Sequence, residues 1–324
     1  MKRRRLLPGL AGLLGGGASG WAQAPRPPGR IGYLHPRTVA ADHPTLRLLQ
    51  QAWRALGYVE GETVLLRSAG DDPRRLPALV EELIALQVGV LIVVGAEAVR
   101  AAARTTRTVP IVAIDLETDP VRAGLAASFA RPSGNVTGLF LDQPSLAGKW
   151  IDLLREAAPG LERIALLWDP GTGRDQLAVA QAVLRDKGLV ATLLELKPRS
   201  AIDASLRALT TGRQRTGIVQ LSSPGFVVVA TEYAEAARRH GLPMISFLKS
   251  YAQAGVLMTY GPVQSYYFPR AVALADKILR GERAAELPIE GPDRFELVIN
   301  GRTAKALGLT IPQSLLLRTD EVIE

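Results

Sequence analysis

An α/β chain folded as two doubly wound parallel-sheet lobes is what this sequence predicts, on three observations. Short aliphatic runs alternate with helical patterns from Arg30 onward. The alternation is written twice, with corresponding strands at a nearly constant spacing along the chain. A chain of 324 residues, 47% of them apolar, is long enough to give each lobe its own core.

In the first half, Arg30–Leu34 reads as a strand, 43–57 as a helix ending at Gly57, and Thr63–Arg67 as a second strand. A helix over 73–86 is opened by Asp72-Pro73, a cap followed by proline at the first helical position. Val88–Val94 is an unbroken aliphatic run of the kind buried on both faces of a parallel sheet. A short helix over 96–104 and a strand Val109–Ile114 complete this half. In the second half, Arg163–Trp168 answers the first strand, 174–187 the first helix, Val190–Leu196 the second strand and 200–210 the second helix. Gly217–Leu221 and Leu242–Ser246 answer the two aliphatic strands that remain. Repeated βα units dictate parallel sheets covered by helices, and two such lobes leave a cleft between them.

Composition narrows the chemistry. The chain has no cysteine, which excludes disulfides, zinc-thiolate sites and a cysteine nucleophile. Three scattered histidines (His35, His43, His240) do not suggest a histidine-built metal site. The stretch Met1–Ala24 has a basic start (Lys2 to Arg5), a short apolar run and Ala22-Gln23-Ala24, the layout of a secretory signal cleaved after Ala24. The paired arginines leave both general secretion and twin-arginine export open. Removing those four cations takes the formal charge from +8 to +4. The remaining cations are dispersed, which gives no support to a nucleic-acid role.

Ligands of open α/β sheets sit beyond the carboxyl ends of the strands. That rule selects His35 and Arg37, Gly95, Ala96 and Glu97, and Asp115 to Asp119 in the first lobe. In the second it selects Trp168 with the loop after it, Ser222, Ser223 and Phe247. Tyr260 is added as an aromatic wall near the cleft. Free N–H groups at helix starts suit a carboxylate, so Ser222, Ser223, Gly95 and Ala96 are expected to hold one. Asp119, or one of Asp115 and Glu117, is expected to pair with an ammonium, with Trp168, Phe247 or Tyr260 flanking an apolar side chain. Each has a plainer reading. Asp119 before Pro120 is also a helix cap, Ser222 and Ser223 are also caps, and Asp115 and Glu117 also fit as solvated loop charges. No G-x-S-x-G elbow, dinucleotide fingerprint or calcium loop accompanies them, so no catalytic residue, cofactor or metal is expected.

Several stretches carry a resemblance to a known family. They include Leu56 to Gly61, Arg107 to Ile111, Asp119-Pro120-Val121, Gly134 to Gly138, Gly148-Lys149-Trp150, Gly255 to Pro262, Phe295 to Asn300 and Ala304 to Leu309. In this order the chain resembles substrate-binding proteins of ABC transporters with the type I periplasmic-binding fold, in the branch with tryptophan- and tyrosine-type receptors. The resemblance implies a multi-strand hinge crossed near 138–145, 260–262 and 291–295. The N-terminal lobe would comprise 30–138 plus 262–290, with 264–280 helical. The C-terminal lobe would comprise 139–261 plus 291–324. It also implies a periplasmic monomer that closes on a small amino-acid-like or carboxylate ligand and meets a membrane permease. The alternatives are a periplasmic sensor feeding a membrane signalling partner and an exported small-molecule enzyme. In the family pattern the residues before Asp119-Pro120 are commonly uncharged, whereas Asp115 and Glu117 are acidic, so no ligand identity comes with the resemblance.

Overall fold

The computed structural model describes residues 29–324 except 71, 141–142 and 173. The expected signal segment and its cleavage point lie outside the described residues. Five parallel strands form the first sheet: β1 (Ile31–His35), β2 (Val64–Ser68), β3 (Val90–Val94), β4 (Ile111–Asp115) and β5 (Val136–Phe140). Their spatial order is β2-β1-β3-β4-β5. The second sheet contains β6 (Arg163–Trp168), β7 (Val190–Glu195), β8 (Thr216–Gln220), β9 (Met244–Ser246), β10 (Met258–Pro262), β11 (Phe295–Asn300) and β12 (Glu321–Ile323). Its order is β12-β11-β10-β9-β8-β6-β7, parallel except where β10 meets β11. The architecture is therefore two doubly wound α/β lobes, and the antiparallel β10–β11 pair lets the chain tail finish on the second sheet.

Prolines explain where the elements depart from the sequence reading. β4 begins at Ile111 and β9 at Met244, just after Pro110 and Pro243, which have no N–H to give to a ladder. The expected 73–86 helix opens as a 3₁₀ turn, Pro73–Arg75, before the α-helix Leu76–Ala85. The expected 264–280 helix is two pieces, Gln264–Tyr267 and Pro269–Leu279, divided at Pro269.

One apolar core covers a face of the first sheet and continues into the second lobe; another fills the opposite face of the first sheet. Helix Pro44–Ala55 shows why such elements dock. Leu46, Leu49 and Trp53 fall at helical spacing on one face and are buried, each burial being favourable by about 1.5–3 kcal/mol. Helix Pro269–Leu279 packs beside it and against β3, although its sequence follows a strand of the second sheet. The chain thus passes between the lobes after β5, after β10 and before β11. At the first crossing Phe140 N–H donates to the Glu290 carbonyl and Glu290 N–H to that of Gly138. The Tyr267 hydroxyl ties β5 to the segment at Glu290, donating to the carbonyls of Phe140 (3.0 Å) and Glu290 (3.2 Å). Gly138 is required there: its φ is +134°, and a Cβ would lie 2.2 Å from the Ala113 carbonyl oxygen.

Candidate ligand cavity between the lobes

The carboxyl ends of the two sheets face each other, and side chains reach across. The Ser222 hydroxyl, just after β8, donates to Glu117 Oε1 at 2.7 Å. Arg37, after β1, pairs with Asp169, after β6, at 3.4 Å. Arg100 donates to the Gly171 carbonyl at 3.1 Å. Gly95 lies so close to Pro224 that a Cβ would approach its ring to 2.5 Å, at a φ of +83°. The lobes are therefore in contact along the cleft, in a closed arrangement.

Behind these contacts lies a cavity, part of it continuous with solvent. Its wall is mainly apolar and aromatic. Tyr33, Leu46, Leu49, Ile114, Leu116 and Phe268 come from the first lobe; Val227, Phe247, Leu248 and Tyr251 come from the second. Besides Tyr33 and Tyr251, the lining residues with polar side chains are His35, His43, Thr45, Glu117, Ser222 and Ser223, with no arginine or lysine among the described residues.

Glu117 is the most constrained of them. It is 5% exposed, and besides Ser222 its Oε2 accepts the Ala96 N–H at 3.1 Å, at the start of helix Ala96–Thr105. Burial, reinforced by the neighbouring Asp115 charge, pushes the Glu117 carboxyl well above its usual range. Asp115 is fully buried and is raised chiefly by burial. Its Oδ1 accepts the N–H groups of Glu117 and Thr118, both at 3.0 Å, while Oδ2 makes no hydrogen bond among the described residues. Asp115 thus folds the turn that presents Glu117. On the other side Ser222 is fixed by Gln176, which accepts the Ser222 N–H and donates to its carbonyl. Burial lowers His35 to about 4, so its ring is neutral at ordinary pH, and its Nδ1 lies 2.8 Å from the Arg37 carbonyl. The Tyr251 hydroxyl is buried beside Gln220 and feels the Glu117 charge, yet makes no hydrogen bond of ordinary geometry among the described residues.

The strand-end rule brings His35, Ser222, Ser223 and Phe247 into the cavity wall. Gly95, Ala96, Arg37 and Glu97 lie around a smaller recess next to it, with Asp169 and Pro224. Burial raises the Glu97 carboxyl there. Other expectations need correcting. Asp119 does not line the cavity; its Oδ1 accepts the N–H groups of Val121 (2.9 Å) and Arg122 (3.1 Å), a cap on the following turn. Asp115 is sealed beneath the turn and is not in the wall either. Trp168 packs beside Arg174, 5.5 Å from ring centre to guanidinium, and Tyr260 stacks on Phe295 near the crossing strands. At the helix starts meant for a carboxylate, the Ala96 N–H is bonded to Glu117 and the Gly225 N–H to the Ser223 hydroxyl at 2.8 Å. Pro224 has no N–H to offer. Tyr33, Leu46, Leu49, Tyr251 and Phe268 were not singled out from sequence, because they sit within a strand, on helix faces and, for Phe268, in the turn between two helices rather than in strand-end loops.

Two α/β lobes closed over a cavity between their sheets are the class that this geometry defines. Residues 39–323 match the model of one such family, so the chain belongs to the ABC transporter substrate binding proteins, a family of binding proteins rather than enzymes. A tyrosine-binding protein from Clostridioides difficile (strain R20291) is 22% identical over 277 residues, covering 83% of this chain and 79% of the relative. Among solved structures, a conserved domain protein from Vibrio cholerae is 21% identical with a TM-score of 0.80. An ABC domain from Streptococcus pneumonia, in complex with L-Trp, is 20% identical with a TM-score of 0.79. Both structural likenesses cover 91% of this chain and 99% of the other, and they confirm the type I periplasmic-binding fold.

Proposed function

We propose that this chain is the periplasmic solute receptor of an ABC importer. The segment Met1–Ala24 is the export signal, and the mature protein works as a monomer that closes around one small ligand before presenting it to a membrane permease. The ligand has an apolar or aromatic body, held against Tyr33, Phe247 and Phe268, and an amino group near Glu117. The observation that carries this reading is the Ser222–Glu117 hydrogen bond, which joins the lobes at the wall of an otherwise apolar cavity. The family and the tyrosine- and L-Trp-binding relatives support it. Closure changes the outer surface of such a protein, which is what a permease can read.

A thermal-shift screen of the chain from residue 25, stripped by unfolding and refolding, tests the reading. The panel holds aromatic amino acids, aromatic amines, nucleosides and short carboxylates. A ligand at a hundred times its dissociation constant adds about 2.7 kcal/mol, a shift of several degrees. A selective hit that also lowers the radius of gyration in small-angle scattering is expected. A correctly refolded protein with no hit anywhere in the panel would overturn the assignment.

A further inference from the structure

We infer that the ligand is an aromatic amine without a carboxylate, because Glu117 already fills the place where an amino acid's carboxylate would be held. The inference rests on the receptor reading above and names the ligand class of the same cavity.

An α-amino acid needs two opposite partners, an anion for its ammonium and a cation or a set of free N–H groups for its carboxylate. This cavity supplies only the first: an ammonium beside Glu117 favours the ionised form of a carboxyl that otherwise keeps its proton. No arginine or lysine among the described residues lines it, and His35, lowered by burial to about 4, brings no charge at neutral pH. Burial lowers His43 as well. The Ala96 N–H at the start of helix Ala96–Thr105, a donor suited to an anion, is bonded to Glu117 Oε2. The Ser222 hydroxyl, a second donor suited to a carboxylate, is bonded to Glu117 Oε1. Both oxygens of a carboxyl group are thus held as a bound ligand's carboxylate would be, but that carboxyl belongs to the protein. A second carboxylate here would meet Glu117 and, beneath it, Asp115, and would leave the water for a wall without compensating charge.

An independent observation marks where the amine goes. Tyr251 is 2% exposed and lines the cavity, and its hydroxyl, beside Gln220 and in the field of Glu117, makes no hydrogen bond of ordinary geometry among the described residues. A buried hydroxyl is seldom left unbonded. An ammonium in the cavity would donate to Glu117 and to the Tyr251 oxygen, with the Tyr33 and Phe268 rings nearby for cation–π contact. The aromatic body of the ligand would then fill the space bounded by Leu46, Leu49 and Phe247.

Calorimetric titration of the refolded chain from residue 25 tests this with matched probes: tryptamine, tyramine and phenethylamine against tryptophan, tyrosine and phenylalanine. Each amine is expected to bind at least about tenfold more tightly than its amino acid, a difference of about 1.4 kcal/mol. Glu117→Gln should lose amine binding while keeping the cooperative melt. Tyr251→Phe, which removes one oxygen and no packing volume, should weaken amines several-fold and serves if Glu117→Gln fails to fold. Amino acids binding as tightly as their amines would overturn the inference and leave the receptor reading standing. Amine binding unaffected by both substitutions would overturn it too. Silence from all six probes also rejects the amine assignment, and the broader screen then decides the receptor reading separately.

Discussion

Replacing Ser222 with alanine removes a side-chain hydrogen bond that reaches Glu117 from the opposite lobe, at 2.7 Å between buried groups. Removing one partner of a buried hydrogen bond costs about 1–3 kcal/mol, because the other is left unsatisfied. That bond exists only when the lobes are closed, because Ser222 follows β8 of the second sheet and Glu117 follows β4 of the first. Its loss therefore weakens the closed form and leaves the folding of each lobe largely unchanged. If the free receptor is mainly open, the whole loss appears in affinity, a weakening of about tenfold to a hundredfold. If it is mainly closed, part of the loss appears instead as opening of the free protein. Calorimetry for affinity and small-angle scattering for the radius of gyration together capture both cases. Unchanged affinity with an unchanged radius of gyration would refute the latch between the lobes.

Three further outcomes are expected. Asp119→Ala should lower stability by about 0.5–2 kcal/mol through loss of a cap, with ligand affinity unchanged; a large affinity loss at constant melting temperature would return Asp119 to the site. Gly138→Ala should cost about 1–3 kcal/mol from the positive φ, with further cost from the clash with the Ala113 carbonyl, and urea unfolding would show it as a lowered midpoint. For pH, the folded protein holds the Glu117 proton above the usual 4.5, so the unfolded chain releases it first as pH rises. The Glu117 contribution to unliganded stability therefore declines from about that pH upward until the folded carboxyl itself ionises. His35 acts in the opposite sense, adding stability between about 4 and 6.5 as the unfolded ring loses its proton. Comparing Glu117→Gln with the parent isolates the carboxyl: the parent should lose stability relative to the variant as pH rises from 5 to 8, and parallel profiles would contradict the raised Glu117.

The duplicated βα pattern made both sheets legible, since aliphatic runs such as Val90–Val94 and Ile111–Ile114 have few other homes. Strand starts shifted where a proline preceded them, a local effect that the sequence also contained. The cavity was legible in part. His35, Ser222, Ser223 and Phe247 follow from strand ends, but Leu46 and Leu49 enter from the face of a helix, and Phe268 from a segment that returns to the first lobe only after β10. Nothing local announces those contacts; closing the lobes creates them. The three acids from the end of β4 onward were recognisable as a group, yet their division of labour depends on backbone path. Asp115 is used on the turn's own N–H groups, Asp119 caps the next turn, and only Glu117 is carried across to the second lobe. Trp168 and Tyr260 looked like cleft aromatics by position, but Arg174 and Phe295 provide them with nearer partners.

The claim that one ligand is held in the cavity between the lobes is tested most directly by calorimetric titration of a variant that fills it. Val39 is partly buried and lines the cavity, so Val39→Trp places a large ring in the space the ligand needs. With the best ligand from the screen, the parent should bind one molecule per chain, while the variant, checked by its melt to be folded, should bind none. A folded Val39→Trp protein that binds the same ligand with the parent's affinity would place the site elsewhere.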